Sequence, residues 1–366
     1  MNASPVLPSH RDTIVIGAGQ SGLAAAYWLS RAGADFAIIE AGGTTTGSWP
    51  AFYDSLKLFS PARYSALPGL PFPGDPDRYP VRDEVTRYLA DYAAMVAPPV
   101  HFNQSVTRVT RGPQGFVVET ASGRRWAANR IISAAGIFGQ PRVPVFPGHE
   151  RFEGQLIHSA QYRNPGQLAD GPVGIVGGGN SALQIALELA QGRAVTLFLR
   201  HPLRFLPQRL LGQDIHRWLI GSGFDWLPFG AWFGVAPGER ILDPGIYRAA
   251  VAAGRIGVRP MFSHLTATGA AMPDGDSVPL ATLLMATGFE TVPRYLADLL
   301  PAVGEGRPVQ RGGYAVGVPG LAFLGMPWQV SHRSATLRGV GGDARRTVTR
   351  LLATRGAGMD ALQAPA

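Results

Sequence analysis

The chain has 366 residues, with 33 Lys and Arg against 25 Asp and Glu for a net charge of +8; 46% of it is hydrophobic, only 16% is charged, and it has no cysteine. This is ample for two joined domains with large cores, and the missing thiols exclude a disulfide framework, a thiolate metal site and a redox-active Cys pair. Lys57 is the only lysine, and the arginines are scattered rather than run together, which points to a mild pull on anionic ligands and away from a nucleic-acid footprint.

No apolar run approaches the length of a membrane span, and the first dozen residues, ending His10-Arg11-Asp12, lack the apolar core of a signal peptide. The expectation is a cytoplasmic protein with no membrane association. A first strand is expected at Ile14-Val15-Ile16, stopping at Gly17-Ala18-Gly19-Gln20-Ser21-Gly22. In this pattern Gly17 permits the tight turn, Gly19 lets a pyrophosphate approach the backbone, and Gly22 lets the following helix, Leu23 to Ala32, pack on the sheet. The second strand, Ala37 to Glu40, ends in a carboxylate 23 positions after Gly17, where such folds hold ribose hydroxyls. Glu40 therefore predicts an adenosine without a 2′-phosphate.

A helix is expected from Arg82 to Val96, with Val85, Tyr88, Leu89, Tyr92 and Met95 on its apolar face, followed by a hairpin of Phe116 to Thr120 and Arg125 to Ser133. Then the nucleotide device recurs. Val173 to Val176 leads into Gly177-Gly178-Gly179-Asn180-Ser181-Ala182, and the next strand, Val195 to Leu199, runs into Arg200-His201. Arg200 stands 23 positions after Gly177, where Glu40 stood in the first copy. A guanidinium there suits bidentate contact with a 2′-phosphate and predicts NADPH over NADH; the alternative is a solvated strand-end arginine, and His201 either assists the phosphate or crowds it. Ala182 replaces the third glycine. A last strand at Ala322 to Gly325 and a helix near Val340 to Thr354 return the chain to the first domain, giving an α/β protein of two Rossmann-like dinucleotide-binding domains, with 166–289 inserted between 1–165 and 290–366.

Between the two devices, Phe152-Glu-Gly154-Gln-Leu-Ile-His158-Ser-Ala-Gln-Tyr162 matches F-x-G-x-x-x-H-x-x-x-(F/Y). On that segment and the two glycine loops the chain resembles the flavin-containing monooxygenases, relatives of the Baeyer-Villiger enzymes, over nearly its whole length. The resemblance implies FAD in the first domain and NADPH in the second, reduction of FAD by NADPH, a C4a-(hydro)peroxyflavin formed with O2, and oxygenation of a small nucleophile: a thioether sulfur, an amine nitrogen or, as a further class, a small ketone. It places Gln20, Ser21, Ala41, Ser48, Trp49, Val106, Ala135, Gly136, Gly325 and Leu337 around the FAD, and Ala286-Thr287-Gly288 where the chain returns between domains. Trp49 reads equally as a core aromatic.

One departure from the family concerns the chemistry. The family's Asn over the flavin falls in a T-N-x-P context, whereas this chain reads Leu58-Phe59-Ser60-Pro61. Phe59 then forms an apolar wall over the flavin, or is a core residue. His158 reads first as a hydrogen-bonded structural residue and only second as a proton donor. The aromatic and arginine-rich stretch from Arg204 to Trp218 reads as a lid or structural cover more than as catalytic machinery, and no histidine has the spacing partners of a metal ligand. Two other classes stay open: a disulfide or pyridine-nucleotide reductase, which the absent cysteines argue against, and an NADPH oxidase or NADPH-responsive regulatory flavoprotein. A homodimer is compatible with the sequence.

Overall fold

The computed structural model describes residues 9–113, 115–228, 240–300 and 309–353. Strand β1 (Ser9–Ile16) sits at the centre of the first sheet, paired in parallel with β2 (Phe36–Ile39) on one side and β6 (Arg125–Ser133) on the other. Beyond them lie β3 (Val100–His101) and β21 (Leu321–Phe323), also parallel. Antiparallel additions, β4 (Val106–Gly112) with β5 (Gly115–Thr120) on one branch and β19 (Gln310–Arg311) with β20 (Tyr314–Ala315) on the other, bring it to nine strands. The parallel strands are near-continuous apolar runs because both faces are covered.

One face packs against α1 (Gln20–Arg31), α2 (Arg82–Val96) and α6 (Leu337–Ala353). The other packs against the β4–β5 ribbon and residues 292–300. Helix α2 turns Val85, Tyr88, Leu89 and Tyr92 inward as its periodicity predicts; Met95 is exposed, and Ala93 takes the remaining buried place. Helix α6 begins three residues earlier than expected, and the expected end at Thr354 lies outside the described residues. Gly341 lets α6 approach closely: a Cβ there would lie 2.5 Å from the Pro68 ring, and the Gly341 carbonyl accepts from Trp28 Nε1 of α1 at 2.9 Å.

The second sheet repeats the plan with five parallel strands in the order β14 (Gly257–Pro260), β9 (Val195–Leu199), β8 (Val173–Val176), β18 (Thr282–Met285), β7 (Gln155–His158). Helices α3 (Asn180–Leu189) and α5 (Ile246–Ala252) cover one face. A three-stranded antiparallel sheet of β15 (His264–Thr266), β16 (Gly269–Ala271) and β17 (Ser277–Pro279) covers the other. Because β7 pairs along its whole length with β18, the strand Gln155–His158 belongs to this sheet although it precedes residue 166. We accordingly propose a domain boundary ahead of Gln155 in place of the one expected at 165/166.

The crossing between the units is a pair of antiparallel chain segments. Arg142 N–H donates to the Gly288 carbonyl at 2.9 Å and Glu290 N–H to the Gln140 carbonyl at 2.8 Å, around a bridge of Pro141 with Phe289. An excursion between β9 and α5 leaves the second sheet and lies on the first unit. It comprises β10 (Phe205–Pro207), the β11 (Arg209–Leu210) and β12 (Gln213–Asp214) hairpin and α4 (Ile215–Gly221), with β10 tied to β13 (Ile241–Asp243). Among the described residues no helix is long and apolar enough to cross a membrane.

Candidate functional site

The two glycine loops sit at equivalent points, each after the central strand of a parallel sheet and beside the strand on the far side of the chain reversal. Gly17, at φ +101°, has no room for a side chain: a Cβ would lie 2.8 Å from both the Ala134 carbonyl oxygen and Ala135 Cα, just past β6. Gly177, at φ +133°, is pressed in the same way against Ala286, just past β18, at 2.4 Å from its carbonyl oxygen. Ala134-Ala135-Gly136 and Ala286-Thr287-Gly288 are therefore the walls opposite the two loops.

Both helices that follow are left bare at the N-terminus. Helices α1 and α3 start from Gly19 and Gly179 with no capping side chain and no acid in the first turn. At three other helices the chain supplies a carboxylate: Glu84 accepts from Val81 N–H before α2, Asp214 from His216 N–H at α4, and Asp243 from Gly245 and Tyr247 N–H at α5. Uncapped N–H groups and the positive end of the helix dipole in these two places fit a pyrophosphate. No described group of three or more His, Asp or Glu has a metal-binding arrangement.

Around the first loop the segments identified from sequence converge. Glu40, half-buried at the end of β2, accepts from Ala18 N–H at 2.5 Å and from Gly42 N–H at 2.7 Å; a carboxylate has lone pairs left for ribose hydroxyls. Ala41 is exposed beside it, and Val106 opens β4 half-buried. Gln20 accepts from Trp49 Nε1 at 3.1 Å and donates to the Ala335 carbonyl at 3.1 Å. This places Ser48-Trp49 and the approach to Leu337 over the start of α1. Ser21 lies against Gly325, where a Cβ would come 2.1 Å from its Oγ. From Trp49 a ladder of edge-to-face rings runs through Phe52, Phe138 and Phe289 to His158, with centroids 5.0 to 5.6 Å apart, and links the first loop to the Ala286-Gly288 turn.

In the second loop Asn180 Oδ1 accepts from Leu242 N–H at 3.2 Å and Ala182 is buried. Arg200 and His201 stand exposed past the end of β9, with no side-chain partner among the described residues. Residues 53–57 of the first unit dock on α3: Tyr53 donates to Gln184 Oε1 at 2.8 Å, and Gln184 Nε2 donates to the Lys57 carbonyl at 3.3 Å.

Phe59 and His158, put forward for the chemistry, are not brought together. His158 is buried at the end of β7; its Nδ1 accepts from Ala160 N–H at 3.1 Å, which leaves the proton on Nε2. Nε2 has no hydrogen-bond partner, and the Gly288 backbone favours the charged ring. Burial outweighs it and lowers the basicity of the ring. The segment Phe152–Tyr162 thus forms an edge strand and its anchors, with Tyr162 donating to Glu188 Oε2 at 2.8 Å, rather than the crossing itself.

Phe59 instead stacks on His216, 6.3 Å between centroids at 15°, with Tyr64 stacked on the same ring. Its carbonyl accepts from Gln208 Nε2 at 2.9 Å. Asp214 gathers this cluster: Oδ1 accepts from His216 Nδ1 at 2.7 Å, and Oδ2 from Tyr79 and from Gln208 at 2.8 Å. Burial opposes ionisation of Asp214, but the donors from His216, Tyr79 and Gln208 prevail and hold its carboxyl at about 2. Sequence reasoning singled out the stretch but not this network, because its members are spread from residue 59 to 216 without a common spacing.

A family profile described as pyridine nucleotide-disulphide oxidoreductase matches residues 14–210, from the first strand through the second glycine loop. The chain belongs to that family. Lacking cysteine, it keeps the family's two-nucleotide frame without its disulfide chemistry. The flavin-containing monooxygenase of Stenotrophomonas maltophilia superposes with a TM-score of 0.82, is 33% identical, and is covered over 99% of its length by 94% of this chain. An uncharacterized CzcO-like oxidoreductase of Geobacillus kaustophilus is likewise 33% identical, over 93% of this chain and 98% of its own. Indole-3-pyruvate monooxygenase YUCCA1 of Oryza sativa is 28% identical over 78% of each. The chain is a flavin-containing monooxygenase, an oxidoreductase that uses a flavin and a nicotinamide cofactor.

Proposed function

We propose that the first loop holds FAD and the second NADPH, and that the enzyme uses NADPH and O2 to oxygenate a small nucleophile, a thioether sulfur or an amine nitrogen. Small ketones are a further class, supported by the carbonyl substrate in the name of the rice relative. The observation that carries the cofactor assignment is the unequal ending of the two central βαβ units: a carboxylate at Glu40, an exposed guanidinium at Arg200. Glu40 repels a 2′-phosphate and accepts from a 2′-hydroxyl; Arg200 does the reverse.

When bound, the two cofactors supply hydride transfer and oxygen activation, and the chain supplies orientation and exclusion of water. Gln20 fixes Trp49 and Ala335 beside the first loop, Glu40 ties that loop to β2, and the ring ladder from Trp49 to His158 links the two units at the crossing. Phe59, backed by His216 and Tyr64, offers an apolar wall where the family has an amide.

The deciding experiment mixes NADPH-reduced enzyme with O2 and a thioether. Sulfoxide formed in step with NADPH consumed supports the proposal. Peroxide released in stoichiometric amount, with the thioether untouched, overturns it in favour of the NADPH oxidase or regulatory flavoprotein.

A further inference from the structure

The excursion ties the two units together through the Asp214 network and through buried Asp225, whose Oδ2 accepts from Arg338 Nε of α6 at 2.9 Å. Residues 49–57 tie them in a different place, at the two helices that follow the glycine loops. Trp49 packs on the first core and donates from Nε1 to Gln20, the first residue of α1, at 3.1 Å. Four positions on, Tyr53 is buried in the second core, its ring centroid 6.4 Å from that of Tyr162. A side chain of the first unit thus completes the core of the second.

Tyr53 meets α3 close behind its uncapped N-terminus. Its hydroxyl donates to Gln184 Oε1 at 2.8 Å, and Gln184 Nε2 donates to the Lys57 carbonyl at 3.3 Å, so one amide of α3 grips both ends of a turn that Leu56 N–H closes on the Tyr53 carbonyl at 3.1 Å. Burial pushes the Tyr53 hydroxyl well above the usual phenol range, while Ser181, the second residue of α3, pulls the other way; Tyr53 therefore stays a donor. The strap between Trp49 and Lys57 is itself held. Arg82, at the start of α2, donates from Nη1 to the Phe52 carbonyl at 2.8 Å and to Asp54 Oδ1 at 2.6 Å. From the second unit, the Arg163 carbonyl accepts from Asp54 N–H at 2.8 Å and Asn164 Nδ2 donates to Asp54 Oδ2 at 2.8 Å.

A strap fixed in this way carries the position of one helix to the other. Each helix N-terminus sets the place of the pyrophosphate it holds, and hydride transfer needs the reacting atoms about 3–3.5 Å apart, so the spacing of α1 and α3 bears directly on the reaction. We infer that Tyr53 is a positioning residue for hydride transfer: acting through Gln184, it sets α3, and the nicotinamide nucleotide on it, at a fixed place relative to α1 and the flavin. This rests on the reading that the two loops hold those cofactors. A purely mechanical tie between the units would contribute to stability and leave the rate of flavin reduction alone.

The test uses flavin-loaded full-length enzyme. Tyr53→Phe keeps the ring in the second core and loses the donor; Gln184→Leu removes the acceptor from the other unit. Each should keep its flavin and its dissociation constant for NADPH, yet slow anaerobic flavin reduction at saturating NADPH roughly tenfold or more. Adding Tyr53→Phe to Gln184→Leu should slow it no further, since both remove one contact. Independently of turnover, NADP⁺ should slow backbone hydrogen exchange across residues 49–57 in wild type and in neither variant. Where Tyr53→Phe fails to fold, Gln184→Leu reads the same contact. A folded variant of either kind that keeps the wild-type reduction rate at saturation, or the wild-type protection of 49–57, overturns the inference, as does a loss confined to the dissociation constant for NADPH or to the melting temperature. Wild type that NADPH does not reduce counts against the cofactor reading instead, whereas wild type that is reduced but shows no protection of 49–57 counts against the inference alone.

Discussion

In the first unit the glycine loop closes on Gly22, where a Cβ would lie 1.9 Å from the Gly17 carbonyl oxygen; at the corresponding place in the second unit the chain carries Ala182, buried and accommodated. One sheet plan thus supports two loops of different tightness, and the tighter one lies where Trp49, Gly325 and Ala335 also crowd the start of the helix. The looser loop opens on Arg200 and His201, exposed at the end of their strand. The difference teaches that the first site is enclosed by several distant chain segments, as suits a cofactor that stays, and the second is open, as suits one that comes and goes.

The largest expected effect comes from forcing the two loops to exchange this feature. Gly22→Ala should yield folded protein with no bound flavin, read as flavin absorbance per chain, because backbone and not a flexible side chain blocks the added methyl. Ala182→Gly should leave flavin content intact and cost about 1 kcal/mol through helix propensity, read by thermal unfolding. Equal flavin content in wild type and Gly22→Ala would remove the distinction in tightness.

Next in size is the contrast between the strand ends. Arg200→Ala should raise KM for NADPH about 10- to 100-fold, the equivalent of the ~1.5–3 kcal/mol carried by hydrogen bonds to a charged group, with KM for NADH almost unmoved. Equal effects on both cofactors would refute Arg200 as the clamp of a 2′-phosphate, and no effect on either would show it to be a solvated strand-end residue.

What the sequence disclosed follows the same division. Both loops, their strands, Glu40 and Arg200 were legible because each is written within some thirty residues as strand, glycines and helix, a local code. The two networks that join the units were not. Asp225 meets Arg338 across 113 positions and Tyr79 meets Asp214 across 135, and no periodicity marks a buried carboxylate for a partner so distant. The strands of the excursion run only two or three residues, too short for an alternating pattern to register. Met95 was misjudged because its helical spacing is right but α2 ends beside it at Ala97, where the chain turns left-handed and the apolar face runs out.

The smallest effect compares two neutral histidines, one per unit, through the pH dependence of stability. His332 on the first unit and His158 on the second are both less basic folded than unfolded, burial being the leading cause for each. Below the unfolded value of about 6.5 the unfolded chain takes up protons that the folded chain refuses, so stability present above that pH is lost as pH falls. For His332 the loss continues to about 4, where the folded ring charges as well. Asp343, its carboxyl raised by burial, works in the opposite sense near the bottom of this window, and Asp214, held at about 2, contributes below it. The melting temperature should therefore decline from pH 6.5 towards 4, and His332→Gln and His158→Gln should each flatten part of that decline. A decline that neither substitution flattens would mean that both rings take up protons in the folded enzyme as readily as in the unfolded chain, and that the lowered basicity assigned to them is wrong.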